Sequence, residues 1–159
     1  MAAVSEGYSI LQAVHDQIVA MDLVGVPTTN VLIQKSLSTL ARDLQKFPYP
    51  SILIAFGGAP TVKPVTNLRH DVTRLVAIVC VDKDEPDNLQ PGERQSNEFD
   101  PRLYWCERMI DAFTNDRLTA TLGHDVQAKY LTIVDGGAYK LGYWLSGIQL
   151  SITTRRARA

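Results

Sequence analysis

The segment 66–81 constrains the fold more strongly than any other part of this 159-residue sequence. It follows the period-2 pattern of a β-strand, in which Val72, Arg74, Val76, Ile78 and Cys80 share one face. Over residues 75–81 the opposite face is apolar as well. A strand with two apolar faces needs cover on both sides. The sequence therefore predicts a central strand inside a layered domain.

Four further segments have the composition of β-strands, at residues 31–35, 51–56, 126–134 and 143–153. The run 51–56 is short, apolar and flanked by prolines and glycines, which favours a buried strand over a helix. In the last segment, one face is formed by Trp144, Ser146, Ile148, Leu150 and Ile152. Residues 57–60 predict a turn, and Asp-Gly-Gly at 135–137 predicts a hairpin loop between the last two strands.

Two segments have the period of an amphipathic helix. The first, residues 9–23, has Ser9 as its predicted N-cap, and its apolar stripe consists of Ile10, Leu11, Val14, Ile18 and Met21. The second begins at Asp100-Pro101 and ends near Asn115. Its apolar face consists of Leu103, Cys106, Met109, Ile110 and Phe113, with Trp105 just off that face. A shorter helix is predicted over residues 37–45.

The elements follow one another as helix, strands, helix, strands, with no internal repeat and no linker-like segment. A chain of this length is typical of one domain. The order predicts a single α+β domain over residues 1–159, with a mostly antiparallel sheet and two main helices packed on one face.

The residue types that usually carry catalysis or bind metals form no recognisable motif. His15, His70, His124, Cys80 and Cys106 have no zinc-ligand spacing, and we interpret both cysteines as reduced, buried hydrophobic residues. The glycine patterns of nucleophile elbows, phosphate loops and dinucleotide-binding turns are absent. We therefore expect no catalytic residues, no metal and no cofactor. An enzyme or ligand-binding domain whose site is assembled from distant positions is the alternative.

Acidic residues are concentrated in the middle of the chain, although the net charge is only −1. Residues 82–100 form a predicted loop with seven acids against two bases, and its candidate partner-binding residues are Asp82, Asp84, Glu85, Asp87 and Glu93. Asp82, Asp84 and Glu93 match the first, third and twelfth positions of a calcium-binding loop. However, Pro86 and Asp87 stand where such a loop needs an oxygen ligand and a glycine. A solvated acidic loop is therefore the preferred interpretation.

Basic residues are concentrated at the end of the sequence, where residues 154–159 contain Arg155, Arg156 and Arg158. Two interpretations stay open: a frayed, solvated terminus, or a segment that contacts DNA phosphates or an acidic partner surface. In one self-complementary version, the acidic loop of one copy meets the basic end of the next copy in a ring. The near-neutral chain argues against a dedicated nucleic-acid-binding module.

The sequence contains no candidate membrane segment. Its longest apolar run, residues 75–81, is far shorter than the roughly 20 residues that span a bilayer. The first residues lack the charged start and apolar stretch of a signal peptide. We expect no membrane partner, and a protein that stays in the cytoplasm or enters a particle assembled there.

The order of these segments resembles that of a family of viral structural proteins. The series consists of the helix 10–23, the proline-flanked strand Phe47-Pro48-Tyr49-Pro50-Ser51-Ile52-Leu53-Ile54, the apolar strand 74–81, the helix 103–113 and the closing strand 145–152. It resembles the small tail-terminator and head–tail joining proteins of tailed bacteriophages. The resemblance is one of pattern and extends over most of the chain.

This resemblance implies a structural role in a virion assembled in the host cytoplasm. It implies a sheet flanked by helices and a ring of identical copies, commonly a hexamer. Such a ring caps the tail tube and joins it to the head connector, and DNA passes through its lumen. The resemblance implies neither catalytic residues nor a cofactor. A connector adaptor, a stopper and a tail-tube protein of the same virion are the alternatives to a tail terminator.

Overall fold

The computed structural model describes residues 5–23, 25–38, 40–83, 101–114, 125–131 and 143–157. Its helices are α1 (Glu6–Met21), α2 (Leu40–Asp43) and α3 (Pro101–Thr114), with short 3-10 helices at Thr28–Asn30 and Leu44–Lys46. Its strands are β1 (Val31–Ile33), β2 (Ser51–Phe56), β3 (Thr61–Pro64), β4 (Arg69–Lys83), β5 (Asp125–Leu131) and β6 (Tyr143–Ala157). No described helix is long and apolar enough to cross a lipid bilayer.

The six described strands form one sheet in the order β1-β2-β4-β6-β5, and β3 pairs with β4 beside β2. Only the β1–β2 pair is parallel among the described strands. The predicted α+β class with a mostly antiparallel sheet is therefore confirmed. β4 lies at the centre, as its pattern predicts, and pairs with β6 along its whole length. β2 and β3 follow each other along the opposite edge of β4.

One face of the sheet is covered by α1 and α3, which confirms the prediction that two main helices share a face. The core between these layers includes Ile10, Val14, Ile18, Ile54, Ile78, Met109, Phe113, Ile148 and Leu150. Trp105 is part of this core and only 2% exposed, so its predicted position off the apolar face is wrong. The reason is that its indole reaches the loop after α1, where it lies beside Gly25.

On the other face, the described residues provide cover at one end. There a second cluster is formed by Leu53, Val79, Val81 and Leu145. It is covered by the partly buried side chains of Leu32 in β1 and of Leu37, Leu40, Phe47 and Tyr49 in the segment after β1. This cover explains why β4 is apolar on both faces at Val79 and Val81, whereas Leu75 lies outside it. Towards the other end, this face carries the partly buried polar side chains of Gln149, Ser151 and Thr153.

Two predicted helices have different limits in the structure. The N-cap of α1 is Ser5, whose hydroxyl accepts a hydrogen bond from the amide of Tyr8 at 3.1 Å. Ser9 lies one turn inside the helix and donates to the Ser5 carbonyl, so its predicted capping role is wrong. The apolar stripe begins only at Ile10, and the first turn therefore had no periodic signal. The helix predicted over 37–45 is reduced to α2 and the 3-10 helix that follows it.

The strand limits also differ from prediction. The strand predicted to begin at residue 66 begins at Arg69, after a turn, and β3 is a separate strand that was not predicted. β6 continues to Ala157 because its last residues pair with the start of β4. α3 begins at Pro101, as predicted. Asp100, the loop at 135–137 and the end of the strand predicted over 126–134 lie outside the described residues.

Candidate assembly surfaces

The histidines and carboxylates do not converge on a metal-binding site within the described ranges. No group of three or more histidine, cysteine, aspartate or glutamate side chains lies close enough there to hold an ion. His15 Nδ1 lies 3.0 Å from Asp16 Oδ1 on α1, and His70 lies opposite Pro64 and Arg156 in the sheet. His124 is outside the described residues.

The two cysteines are free and buried, as predicted. The thiol of Cys106 on α3 lies 3.2 Å from the hydroxyl of Ser146 on β6. The hydrogen bond with Cys106 and complete burial raise the pKa of Cys80 well above its ordinary value. A nucleophilic cysteine needs a lowered pKa and access to solvent. This pair therefore behaves as part of the core.

A depression of about 260 Å³ lies on the sheet face opposite α1 and α3. It is lined by Leu75, Gln127, Ala128, Lys129, Gln149 and Ser151 from the three strands β4, β5 and β6. Its polar groups are amides, one hydroxyl and one ammonium group. The described residues that line it include neither an acid–base pair nor an activated nucleophile.

Arg155 lies in a β-strand, and so does the backbone of Arg156. Arg155 Nε donates to Asp71 Oδ1 at 2.9 Å, and the two residues are opposite each other in β6 and β4. This hydrogen bond lowers the pKa of Asp71 and raises the pKa of Arg155. The interpretation of a frayed terminus is therefore wrong up to Ala157, because the strand is paired to that residue. Arg158 lies outside the described residues.

Asp82 is the only candidate residue of the predicted acidic loop that the structure describes. It lies in β4, is partly buried and pairs with Trp144, so its predicted position in a loop is wrong. The reason is that β4 extends two residues past the apolar run. Asp84, Glu85, Asp87 and Glu93 lie outside the described residues, and their role as partner-binding residues stays a prediction.

The β4–β6 pair runs from Arg69 opposite Ala157 to Lys83 opposite Tyr143. At roughly 3.3 Å per residue, its two ends are about 45 Å apart. Arg155 and the backbone of Arg156 lie at the Arg69 end. Residues 84–100 of the acidic segment lie outside the described residues, so a contact between the acidic segment of one copy and the basic end of the next stays a prediction.

The hairpin of β3 and β4 exposes apolar side chains. Of the described residues, the exposed large hydrophobics are Tyr8, Val62, Val65, Leu68 and Tyr130. Three of these five, Val62, Val65 and Leu68, lie in a stretch of seven residues in this hairpin. Leu68 is 73% exposed. The exposed bases Lys63 and Arg69 flank them. We call these five hairpin residues, Val62, Lys63, Val65, Leu68 and Arg69, the hairpin surface.

A second surface lies where α3 packs on the edge strand β5. Tyr130 on β5 is 58% exposed. The exposed carboxylates Glu107 and Asp111 lie one turn apart on α3. Burial, followed by the charges of Glu107 and other nearby groups including Asp111, raises the pKa of Tyr130. We call Glu107, Asp111 and Tyr130 the α3–β5 surface.

Sequence reasoning identified neither surface. The alternation of Thr61, Val62 and Lys63 before Pro64 is a weak signal for an edge strand, and Pro64 is typical of such a strand. The α3–β5 surface left no signal in sequence, because its residues come from two segments about 20 positions apart that only folding brings together.

No protein-family model matches this chain. No curated protein sequence matches it at a significant level.

Proposed function

We propose that this chain is a structural subunit of a bacteriophage neck, and that it acts as a tail terminator. In this role, copies form a ring that caps the tail tube and joins it to the head connector. The observation that carries the proposal is the hairpin surface. It places exposed Val62, Val65 and Leu68 at a sheet edge, where a buried contact with another protein chain would remove them from water.

Two further features support an assembling role. First, β3 and β5 each have one described strand neighbour, so the sheet presents an edge on each side. Second, the perturbed groups among the described residues are a buried thiol, an exposed tyrosine and members of hydrogen-bonded or ionic pairs. Asp16 lies on α1, the Asp71–Arg155 pair lies at one end of β4 and β6, and Cys80 lies near the other end of β4, whereas a catalytic site usually concentrates such groups in one cleft.

The order of elements supports a place in the neck of a phage. The α+β fold with two helices on one sheet face agrees with the fold that the resemblance to tail-terminator and head–tail joining proteins implies. A virion location, a tail-tube partner and a connector partner are parts of the proposal. The lumen of the ring would be the passage for DNA.

The test combines electron microscopy with a tube-growth assay. Negative-stain images of the purified chain are expected to show rings with a central hole. Adding the chain to polymerising tail-tube protein of the same virus is expected to stop growth at a fixed length. Tubes that grow unchanged in its presence contradict the terminator role. Binding to the connector without an effect on tubes indicates the adaptor or stopper alternative.

A further inference from the structure

The two surfaces described above face opposite lateral sides of the sheet. β3 pairs with one edge of β4, whereas β5 lies beyond β6 on the other side. A contact between two different surfaces of identical chains is heterologous, and it closes into a ring when its rotation allows. The positions of β3 and β5 fit such a repeat, because each copy offers one surface to each neighbour.

The two surfaces are complementary in chemistry. The hairpin surface is a sheet edge at which both faces are exposed: Val62 lies on the face towards α1 and α3, Lys63 and Arg69 lie on the opposite face, and Val65 and Leu68 lie in the turn between β3 and β4. The α3–β5 surface has an exposed aromatic ring at Tyr130 with two carboxylates beside it. Apolar contact at the centre with opposite charges at the rim is the usual arrangement of a specific interface.

The base Arg108 lies next to the two carboxylates on α3 but points to a different side of the helix. Arg108 follows Glu107 directly and is also exposed. It points about 100° further round the helix than Glu107, whereas Asp111 lies on nearly the same side as Glu107. The two carboxylates therefore act together beside Tyr130.

We propose that the hairpin surface of one copy docks on the α3–β5 surface of a second copy. Leu68 and Val62 pack on the ring of Tyr130, and Arg69 and Lys63 pair with Glu107 and Asp111 of that copy. This contact rests on the proposed ring function and specifies its interface. It also places the outer edge of β3 next to the outer edge of β5 of the adjacent copy.

The decisive experiment mixes two defective variants. Leu68→Ser with Arg69→Glu removes the hairpin surface, and Tyr130→Ser with Glu107→Gln removes the α3–β5 surface. Each variant alone is expected to be a monomer of 17.6 kDa by light scattering. An equimolar mixture is expected to double in mass and to stop there, because each dimer then retains only the two defective surfaces. Variants that assemble alone like the native chain, or a mixture that stays monomeric, overturn the proposal.

Matched controls separate a lost contact from a general charge effect. Asp16→Lys and Lys35→Glu change the same kinds of exposed charge elsewhere, and both are expected to assemble like the native chain. Urea unfolding of every variant checks that the chain is folded. Loss of assembly in these controls as well would count against the specific contact.

A crosslink gives a second measurement that does not depend on a defective variant. Leu68→Cys mixed with Tyr130→Cys is expected to give a disulfide-linked dimer under mild oxidation. Leu68→Cys mixed with Tyr8→Cys is the control and is expected to give none. Rings that persist without this crosslink overturn the contact and leave the proposed function standing, whereas a native chain that is monomeric at every concentration overturns both.

Discussion

Arg155 Nε donates to Asp71 Oδ1 at 2.9 Å. The two residues lie opposite each other, near the end of β6 and the start of β4. The neighbouring pair on the same face is Thr73 and Thr153, whose hydroxyls are 3.0 Å apart. Two successive cross-strand contacts thus hold the end of the sheet from which the hairpin surface projects. Arg155 therefore has a structural partner within the chain.

The first prediction concerns this end of the sheet. Asp71→Asn removes the charge that pairs with Arg155, so residues 155–157 are expected to separate from β4 more often. Hydrogen exchange at the amides of these residues should become faster, while the centre of β4 stays unchanged. Asp125→Asn, at an exposed carboxylate on β5, is the control. Equal exchange in Asp71→Asn and the native chain would contradict a role for this pair.

The same pair predicts a pH dependence. Its hydrogen bond with Arg155 lowers the pKa of Asp71 from the ordinary value of 3.8. A lowered folded-state pKa contributes stability that is present above 3.8 and is lost as the pH falls through the lowered value. The protection of the amides of residues 155–157, measured relative to their intrinsic exchange rate at each pH, should therefore fall in that acidic range in the native chain and less so in Asp71→Asn. An identical acid response in both proteins would contradict this assignment.

The fold could be predicted in outline because its central strand has a distinctive pattern. Residues 75–81 are apolar on both faces. Apolar side chains on both faces need cover on both sides, and the structure has a cluster of buried residues on each face of β4. β3 could not be predicted in the same way, since all four of its residues are exposed and a single valine between two polar residues is too short an alternation to identify a strand. The extension of β6 through Arg155 was missed because its stability comes from pairing with Asp71, 84 positions earlier in the chain.

The second prediction compares the two faces of β4. Ile78 is fully buried under the helices, and Ile78→Ala is expected to lower the free energy of unfolding by about 3 kcal/mol. Leu75 lies on the opposite face beside the depression and is partly buried, so Leu75→Ala should cost about 1 kcal/mol. Urea unfolding monitored by circular dichroism measures both. Equal losses would mean that the second face is packed as tightly as the first.

The third prediction concerns the thiols. Cys80 and Cys106 are at most 1% exposed, and the pKa of Cys80 is raised by its hydrogen bond with Cys106 and by burial. Both should react with a disulfide reagent on the order of a thousandfold more slowly than an exposed cysteine, since reaction requires unfolding. Lys35→Cys supplies that exposed reference in the same chain. Rapid modification of three thiols in this variant would contradict the burial of the native pair.

The fourth prediction tests the geometry of the α3–β5 surface in a single chain. Burial and then the charge of Glu107 raise the pKa of Tyr130, so Glu107→Gln should lower that pKa. Titration of tyrosinate absorbance, with Tyr130→Phe subtracted to isolate this ring, measures the shift. Asp16→Asn removes an exposed carboxylate from α1 and should leave the Tyr130 titration unchanged. An unaltered titration in Glu107→Gln would show that the Glu107 carboxylate is too far from Tyr130 to affect its pKa.

The candidate surfaces show where sequence reasoning fails for a protein of this kind. Clusters of charge are visible in a sequence, and they directed attention to Asp82 and to the arginines at the end. The structure places Asp82 and Arg155 in the paired strands β4 and β6, where pairing with the neighbouring strand fixes their backbone positions. The exposed Leu68 and Tyr130 have ordinary local sequences, and only the fold places them at opposite sheet edges.

The last prediction separates the apolar part of the hairpin surface from its charges. Leu68 is 73% exposed, so Leu68→Ser should leave the urea midpoint of the isolated chain unchanged. If Leu68 is buried between copies, the same change should weaken association by about 2 kcal/mol, roughly 30-fold in the dissociation constant. Sedimentation at low and high salt should give the same ratio, because salt screens Arg69 but not an apolar contact. Tyr8→Ser, at another exposed hydrophobic residue, should leave association unchanged. Equal weakening by both variants would indicate non-specific apolar association and would remove the hairpin from the interface.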